Sequence, residues 1–140
     1  MSANNKEIEI GSNFTPKFNK HGLITAVAQD AKTKEILMVA YMNEEALKLT
    51  IKTGFATYYS RSRRKLWKKG EESGHVQQVR QILVDCDQDC LILKVSVDAG
   101  QCHASYQSCF YRALKPGSAK DLELIAEKVY DPEATYKKKV

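Results

Sequence analysis

Short runs of alternating apolar and polar residues, each closed by a turn-forming cluster, carry most of the structural information in this chain. Residues 23–29 alternate and residues 35–42 form a denser apolar run; Asp30-Ala31-Lys32-Thr33-Lys34 between them reads as a hairpin loop. A helix follows. Asn43 is a good N-cap, Glu44 and Glu45 suit the positive end of the helix dipole, Met42 is placed to staple onto Leu47, and Gly54 is the expected stop. Ala46, Leu47, Leu49 and Ile51 are the expected buried stripe. Residues 55–63 and 76–85 read as strands, separated by the basic, Gly-containing segment 64–74. Leu91, Leu93, Val95 and Val97 mark a half-buried strand over 90–97. Residues 121–130 fit either state, with the Ile125, Val129, Tyr130 pattern before Asp131-Pro132 favouring a strand. Residues 1–20 form a polar leader whose Phe14 and Phe18 are expected to dock on the core, and 131–140 form a tail.

These elements predict a β-rich α+β fold: a folded, mixed or antiparallel, pseudobarrel-like sheet with one or two helices, meandering instead of alternating βαβ. A length of 140 residues suits one domain spanning 1–140, and 43% apolar with 28% charged residues is the balance of a soluble globular protein. The apolar run at 36–42 is far short of the ~20 residues a membrane span needs, and residues 1–6 lack the apolar core of a secretory signal. A cytoplasmic location is expected, with no membrane partner; in that compartment four cysteines point to metal binding or catalysis before disulfides.

Charge changes the picture locally. The net charge of +5 concentrates in Arg61, Arg63, Arg64, Lys65, Lys68 and Lys69, with Lys137, Lys138 and Lys139 at the end of the chain. Such a cluster favours phosphate-bearing ligands, either a small molecule or a nucleic acid.

The chemistry concentrates further on. Asp85-Cys86-Asp87-Gln88-Asp89-Cys90 is followed by Cys102-His103 and Cys109. Carboxylates suit Mg²⁺ and thiolates suit Zn²⁺. On an extended strand Asp85 and Asp89 would stand roughly 13 Å apart, beyond the reach of one ion with ligands at ~2.1 Å. A shared Mg²⁺ therefore requires a turn, and the apolar strands flanking the triplet leave room for one. An EF-hand is excluded by register, with Cys90 at the glycine position and Ser96 at the terminal glutamate position. The nucleobase deaminases are excluded as well, because His75 is followed by Val76-Gln77 and no Cys-x-x-Cys occurs. The four cysteines are open to three readings: a closed structural zinc site, an open catalytic site of three ligands with water in the fourth position, or a Cys102–Cys109 disulfide.

Several stretches taken together resemble the phosphoribosyl-AMP cyclohydrolases, the histidine-biosynthesis enzymes that open the adenine ring. They are Leu37-Met38-Val39-Ala40-Tyr41-Met42-Asn43-Glu44-Glu45-Ala46-Leu47, Tyr59-Ser60-Arg61-Ser62-Arg63, Leu66-Trp67-Lys68-Lys69-Gly70-Glu71-Glu72-Ser73-Gly74, Asp85-Cys86-Asp87-Gln88-Asp89, Cys102-His103 and Ser108-Cys109-Phe110-Tyr111-Arg112, in the family's order. The resemblance implies Mg²⁺ on Asp85, Asp87 and Asp89. It implies Zn²⁺ on Cys86, Cys102 and Cys109, assembled across a homodimer, with Cys90 outside the ligand set. Two departures stand out. Gln88 occupies a position where the family usually has Gly, and Ala99-Gly100-Gln101-Cys102-His103-Ala104-Ser105 replaces a Gly-Pro-Ala-Cys-His-Thr-Gly run. The family also occurs fused to a pyrophosphohydrolase domain; this chain resembles the stand-alone form.

The reaction so implied is hydrolysis of the purine N1–C6 bond of phosphoribosyl-AMP by water that zinc has acidified toward pKa ~7. His103 is the leading acid/base candidate and His75 the second. Arg61, Arg63 and Lys69 are candidates for the two phosphates, and Trp67 for stacking on the base. The partner expected is therefore a phosphorylated nucleotide and no nucleic acid. The competing reading is a nucleic-acid-binding module with a four-cysteine structural zinc site.

Overall fold

The structure is a computed structural model in which residues 5–71, 73–97 and 106–128 are described. Its centre is a four-stranded mixed sheet in the order β2-β1-β6-β5, made of β1 (Ile24–Asp30), β2 (Ile36–Met42), β5 (Gln78–Val84) and β6 (Cys90–Ser96). β1 lies antiparallel to β2 and parallel to β6, and β6 lies antiparallel to β5. The parallel pair makes the sheet mixed and departs from a simple meander.

Alternation does what the pattern predicts. Ile24, Ala26 and Ala28 of β1 and Leu91, Leu93 and Val95 of β6 point to one face and are buried, joined by Leu37, Met38 and Met42 of β2. The β1–β2 loop is closed by Asp30, whose carboxylate accepts the N–H groups of Lys32 (2.8 Å) and Thr33 (3.1 Å) while its carbonyl accepts that of Lys34.

Helix α2 (Glu44–Thr53) begins where Asn43 Oδ1 accepts the Ala46 N–H at 2.8 Å and ends at Gly54, with φ 80°. It presses Ala46, Leu47 and Thr50 onto the core. The Thr50 hydroxyl donates to Ala46 O and accepts the Thr57 N–H, so it ties the helix to β3 (Thr57–Ser60). Ile51, expected in the buried stripe, is 57% exposed. With Ala46, Leu47 and Thr50 against the sheet, its position on the turn points outward.

The segment 64–74 is also corrected. The strand expected over 55–63 stops at Ser60, and 61–64 form a turn in which Arg64 takes φ 53°. The chain then returns as β4 (Lys65–Lys68), antiparallel to β3. Backbone bonds from Ala56 N–H to Gln77 O and from Val79 N–H to Gly54 O join this ribbon to the start of β5, and one from Lys69 N–H to Ala56 O extends the ribbon's own pairing. The leader contains a short helix, α1 (Asn5–Ile10), that its polar sequence did not announce; Phe18 packs on the core while Phe14 stays 45% exposed. Residues 121–128 hold a short strand, β8 (Leu122–Leu124), paired with β7 (Arg112–Leu114). Leu114, Leu122 and Leu124 share one exposed face of this ribbon with Arg112, and Phe110 and Ile125 are exposed beside it. Among the described residues no helix is long and apolar enough to cross a membrane.

Candidate active site

The acidic triplet occupies the turn between β5 and β6, the shape that one shared ion demands. Asp85 N–H donates to Cys90 O, and Gln88 N–H to Asp85 O, closing the turn. One oxygen of Asp85 accepts the N–H groups of Asp89 (2.9 Å) and Cys90 (3.1 Å). The oxygens of Asp85, Asp87 and Asp89 come within 4.8 Å of one another, and all three side chains are exposed. This spacing and an all-oxygen donor set fit a hard divalent cation.

Asp85 and Asp89 titrate apart. The hydrogen bond to the Asp85 side chain holds Asp89 above the ordinary carboxylate range, helped by desolvation and by the charges of Asp85 and Asp87. Asp85 lies below that range: desolvation, the largest single influence, opposes the shift, but bonds from the Asp89 side chain and the N–H groups of Asp89, Cys90 and Gln88 together outweigh it. A cation held by these carboxylates would be released on acidification as Asp89 takes up its proton, starting at a higher pH than for an isolated aspartate.

A second group forms elsewhere. A pocket of about 560 Å³ is lined by Met38 and Val39 of β2, by Ser60, Arg63 and the β4 residues, by Lys69, Gly70, Glu71 and Ser73, and by Cys109. Its cations are Arg63, Lys65, Lys68 and Lys69, against the single carboxylate of Glu71. Trp67 forms part of the wall, its ring 5.2 Å from that of Tyr58, so it serves both core and pocket. Cys109 is fixed by its neighbours: its N–H donates to Leu37 O at 2.7 Å, and the Ser108 hydroxyl donates to Ile36 O. Of the expected substrate residues, Arg63, Trp67 and Lys69 line this pocket. Arg61 does not, and lies 4.1 Å from the centre of the Tyr41 ring. His75 is half-buried beside Gly70, its N–H donating to Ser73 Oγ. Lys65 and Lys68 were missed as lining residues because β4, which presents them, was not recognised; Ser60, at the end of the expected strand, was missed because nothing in its local pattern marks it as facing a pocket. Cys102 and His103 lie outside the described residues.

The two groups stand at opposite ends of the sheet. Val84, Leu91, Ala26 and Ala40 lie level across the strands. Cys86 follows Val84 by two residues in one direction, and Leu37, which holds Cys109, precedes Ala40 by three in the other. The two thiols therefore hang about five residue rises apart, roughly 16 Å along the strands at ~3.3 Å each. A zinc ion with Zn–S near ~2.3 Å holds its sulfurs about 4 Å apart. Within one chain, Cys86 and Cys109 cannot share an ion, and a four-thiolate site built from one chain is excluded. Cys90 differs from both. It sits half-buried at the start of β6, and burial together with the charges of Asp85 and Asp89 raises its pKa, which favours the neutral thiol.

The chain is similar to proteins of one family. A family profile described as phosphoribosyl-AMP cyclohydrolase matches residues 38–111. A protein of that name from Methanoregula boonei is 57% identical over 122 residues, covering 87% of this chain and 94% of its own. Another from Methanothermobacter thermautotrophicus is 54% identical over 130 residues, covering 93% and 94%. One from Nitrobacter winogradskyi is 49% identical over 141 residues, covering 99% and 97%. The chain belongs to the phosphoribosyl-AMP cyclohydrolase family.

Membership in this hydrolase family, whose enzymes serve histidine biosynthesis, weights the two groups differently from a general nucleotide-binding fold. The cyclohydrolase-like stretches expected to carry function, from Leu37 to Arg112, run through both the pocket and the acidic turn. Gln88 takes φ 59°, a conformation glycine adopts without steric cost.

Proposed function

We propose that this chain hydrolyses the N1–C6 bond of the purine ring of phosphoribosyl-AMP, yielding the formimino-aminoimidazole carboxamide ribotide, in the cytoplasm and as a homodimer. The observation that carries the reading is the pocket at Cys109, where a thiol, an aromatic wall and four cations meet in a space suited to a nucleotide. Arg63 and Lys69, with Lys65 and Lys68, hold the phosphates by charge-assisted hydrogen bonds; Arg61, on its Tyr41 platform, meets a phosphate that extends past the rim. Trp67 flanks the base.

Cys86, Cys102 and Cys109 are the thiols that would hold zinc, which when bound supplies Lewis acidity toward water near neutral pH. Asp85, Asp87 and Asp89 would hold Mg²⁺. His103 is assigned to carry the proton to the purine N1, with His75, across from Gly70, as the alternative. The separation of Cys86 from Cys109 supports a site completed by a second chain, whose acidic turn and Cys86 meet the first chain's pocket. The exposed leucines of β7 and β8 support association too, forming a patch that a lone soluble chain rarely leaves uncovered.

Incubation of the zinc- and Mg²⁺-loaded protein with phosphoribosyl-AMP should give the absorbance change of ring opening. A loaded protein that leaves the substrate intact overturns the proposal. Asp87→Ala and Asp89→Ala should each weaken Mg²⁺ binding at least about tenfold and reduce turnover, while zinc content stays at the wild-type level, because carboxylates serve the hard ion and thiolates the soft one. Metal analysis of the purified variants checks this; loss of zinc from both would merge the two sites. Cys90→Ser should keep its zinc and most of its activity, at a cost of less than about 1 kcal/mol in stability. A zinc-free Cys90→Ser protein would return Cys90 to the ligand set.

A further inference from the structure

Gln88 stands in an exposed turn, yet it is only 5% exposed itself. Its side-chain amide is spent on the leader. Oε1 accepts the Thr15 N–H at 2.7 Å, and Nε2 donates to Ile8 O at 3.1 Å and to Asn13 O at 3.2 Å. Its backbone carbonyl accepts the Lys17 N–H at 2.7 Å. One residue therefore makes four hydrogen bonds to residues 8–17, and does so with φ 59°, where a non-glycine side chain is disfavoured.

The same peptide shapes the acidic turn. The unit between Gln88 and Asp89 is gripped at its oxygen by Lys17 and at its N–H by the Asp85 carboxylate. That bond, with the Cys90 N–H, fixes one Asp85 oxygen, in a turn where an oxygen of each of the three carboxylates lies within 4.8 Å of the others. Movement of the leader would tilt this peptide and spread the carboxylates.

We propose that Gln88 is a positioning residue for the divalent-cation site: it locks residues 8–17 over the acidic turn, so that docking of this strap and cation binding strengthen one another. The inference rests on the acidic turn being the cation site. By linkage, whatever factor the docked strap adds to cation affinity, the cation adds to strap docking. Glycine at this position satisfies the turn but cannot make the clasp; glutamine satisfies the clasp at the expense of the backbone.

The test uses the full-length protein, MgCl₂ titrated by calorimetry, and amide hydrogen exchange at Thr15 and Lys17. Gln88→Gly removes the three side-chain bonds of the clasp and relaxes the backbone, whereas Gln88→Ala removes the same three bonds and keeps the strained φ; the backbone bond from Lys17 N–H remains in both. Both should weaken Mg²⁺ binding by about five- to fiftyfold, with Thr15 and Lys17 exchanging faster. In the wild type, saturating Mg²⁺ should slow exchange at these two amides while leaving the β1 and β6 amides unchanged. If Gln88 serves the turn alone, Gln88→Gly binds Mg²⁺ as the wild type does or better, and the proposal falls while the cation site stands. A wild-type protein that binds no Mg²⁺ overturns the cation reading and this inference together.

Discussion

Mixing Cys86→Ala with Cys109→Ala subunits should restore turnover that neither variant has alone. Each homodimer lacks a zinc ligand in both of its sites and is expected to be inactive. In a two-fold dimer whose sites draw Cys86 from one chain and Cys109 from the other, a heterodimer combines both lesions in one site and leaves the second intact. An equimolar, fully exchanged mixture should therefore reach about a quarter of wild-type activity, since about half of the dimers are mixed and each has one of two sites working. Zinc content of the mixture should rise in proportion. The prediction follows from the two thiols hanging from opposite ends of the strands. No recovery after subunit exchange has been verified by mass spectrometry would place all three thiols within one chain and contradict the sheet register.

Gly70→Ala should be the most damaging single methyl in the described structure. Gly70 takes φ 86°, and a Cβ there would fall 2.3 Å from the Val76 nitrogen and 2.5 Å from the His75 carbonyl carbon. Both atoms are backbone, so no rotamer change relieves the collision. The neighbouring Gly74 has a similar φ of 79° but open space where a Cβ would go. Gly74→Ala thus reports the backbone cost alone, about 1 kcal/mol, while Gly70→Ala adds a steric cost for a total of at least about 3 kcal/mol. Denaturant unfolding of the pair separates the two contributions. Because Gly70 lines the pocket and abuts His75, any Gly70→Ala protein that folds should also bind substrate more weakly. Equal stability of the two variants would mean that the 70–76 loop shifts freely.

What the sequence conveys about this fold is what short-range physics encodes. Alternation at Leu91, Leu93 and Val95, the Asn43 and Gly54 ends of α2, and the Asp30 loop are local, and each is found where expected. The curl of the acidic triplet was legible only under a condition: three carboxylates that share one ion cannot lie on an extended strand. β4 was not legible, because Lys65 and Lys68 bracket only Leu66 and Trp67, too short a pattern to stand out from a basic loop. Ile51 faces solvent through a choice made by tertiary packing, with the Thr50 hydroxyl satisfied between α2 and β3. In the site, donor chemistry named the carboxylates, but residue spacing holds no information on which end of a sheet a thiol hangs from. Gln88 registered only as a departure from glycine, since its partners are more than seventy residues away in sequence.

The parallel pairing of β1 with β6 sets the order in which this molecule can be built. β1 and β2 leave the ribosome as a hairpin, and α2 can dock on it soon afterwards. The other edge of β1 waits for partners 65 residues further along, where Thr25 meets Cys90 and Asp30 meets Val95. Until then the buried face around Ala26 and Ala28 lacks Leu91, Leu93 and Val95, and an open strand edge is presented to other nascent chains. Closing so long a loop is slow and unrewarded until the last central strand arrives. A chain released before residue 90 should consequently be a chaperone substrate and a target for proteolysis, because no smaller part of this sheet holds a complete core.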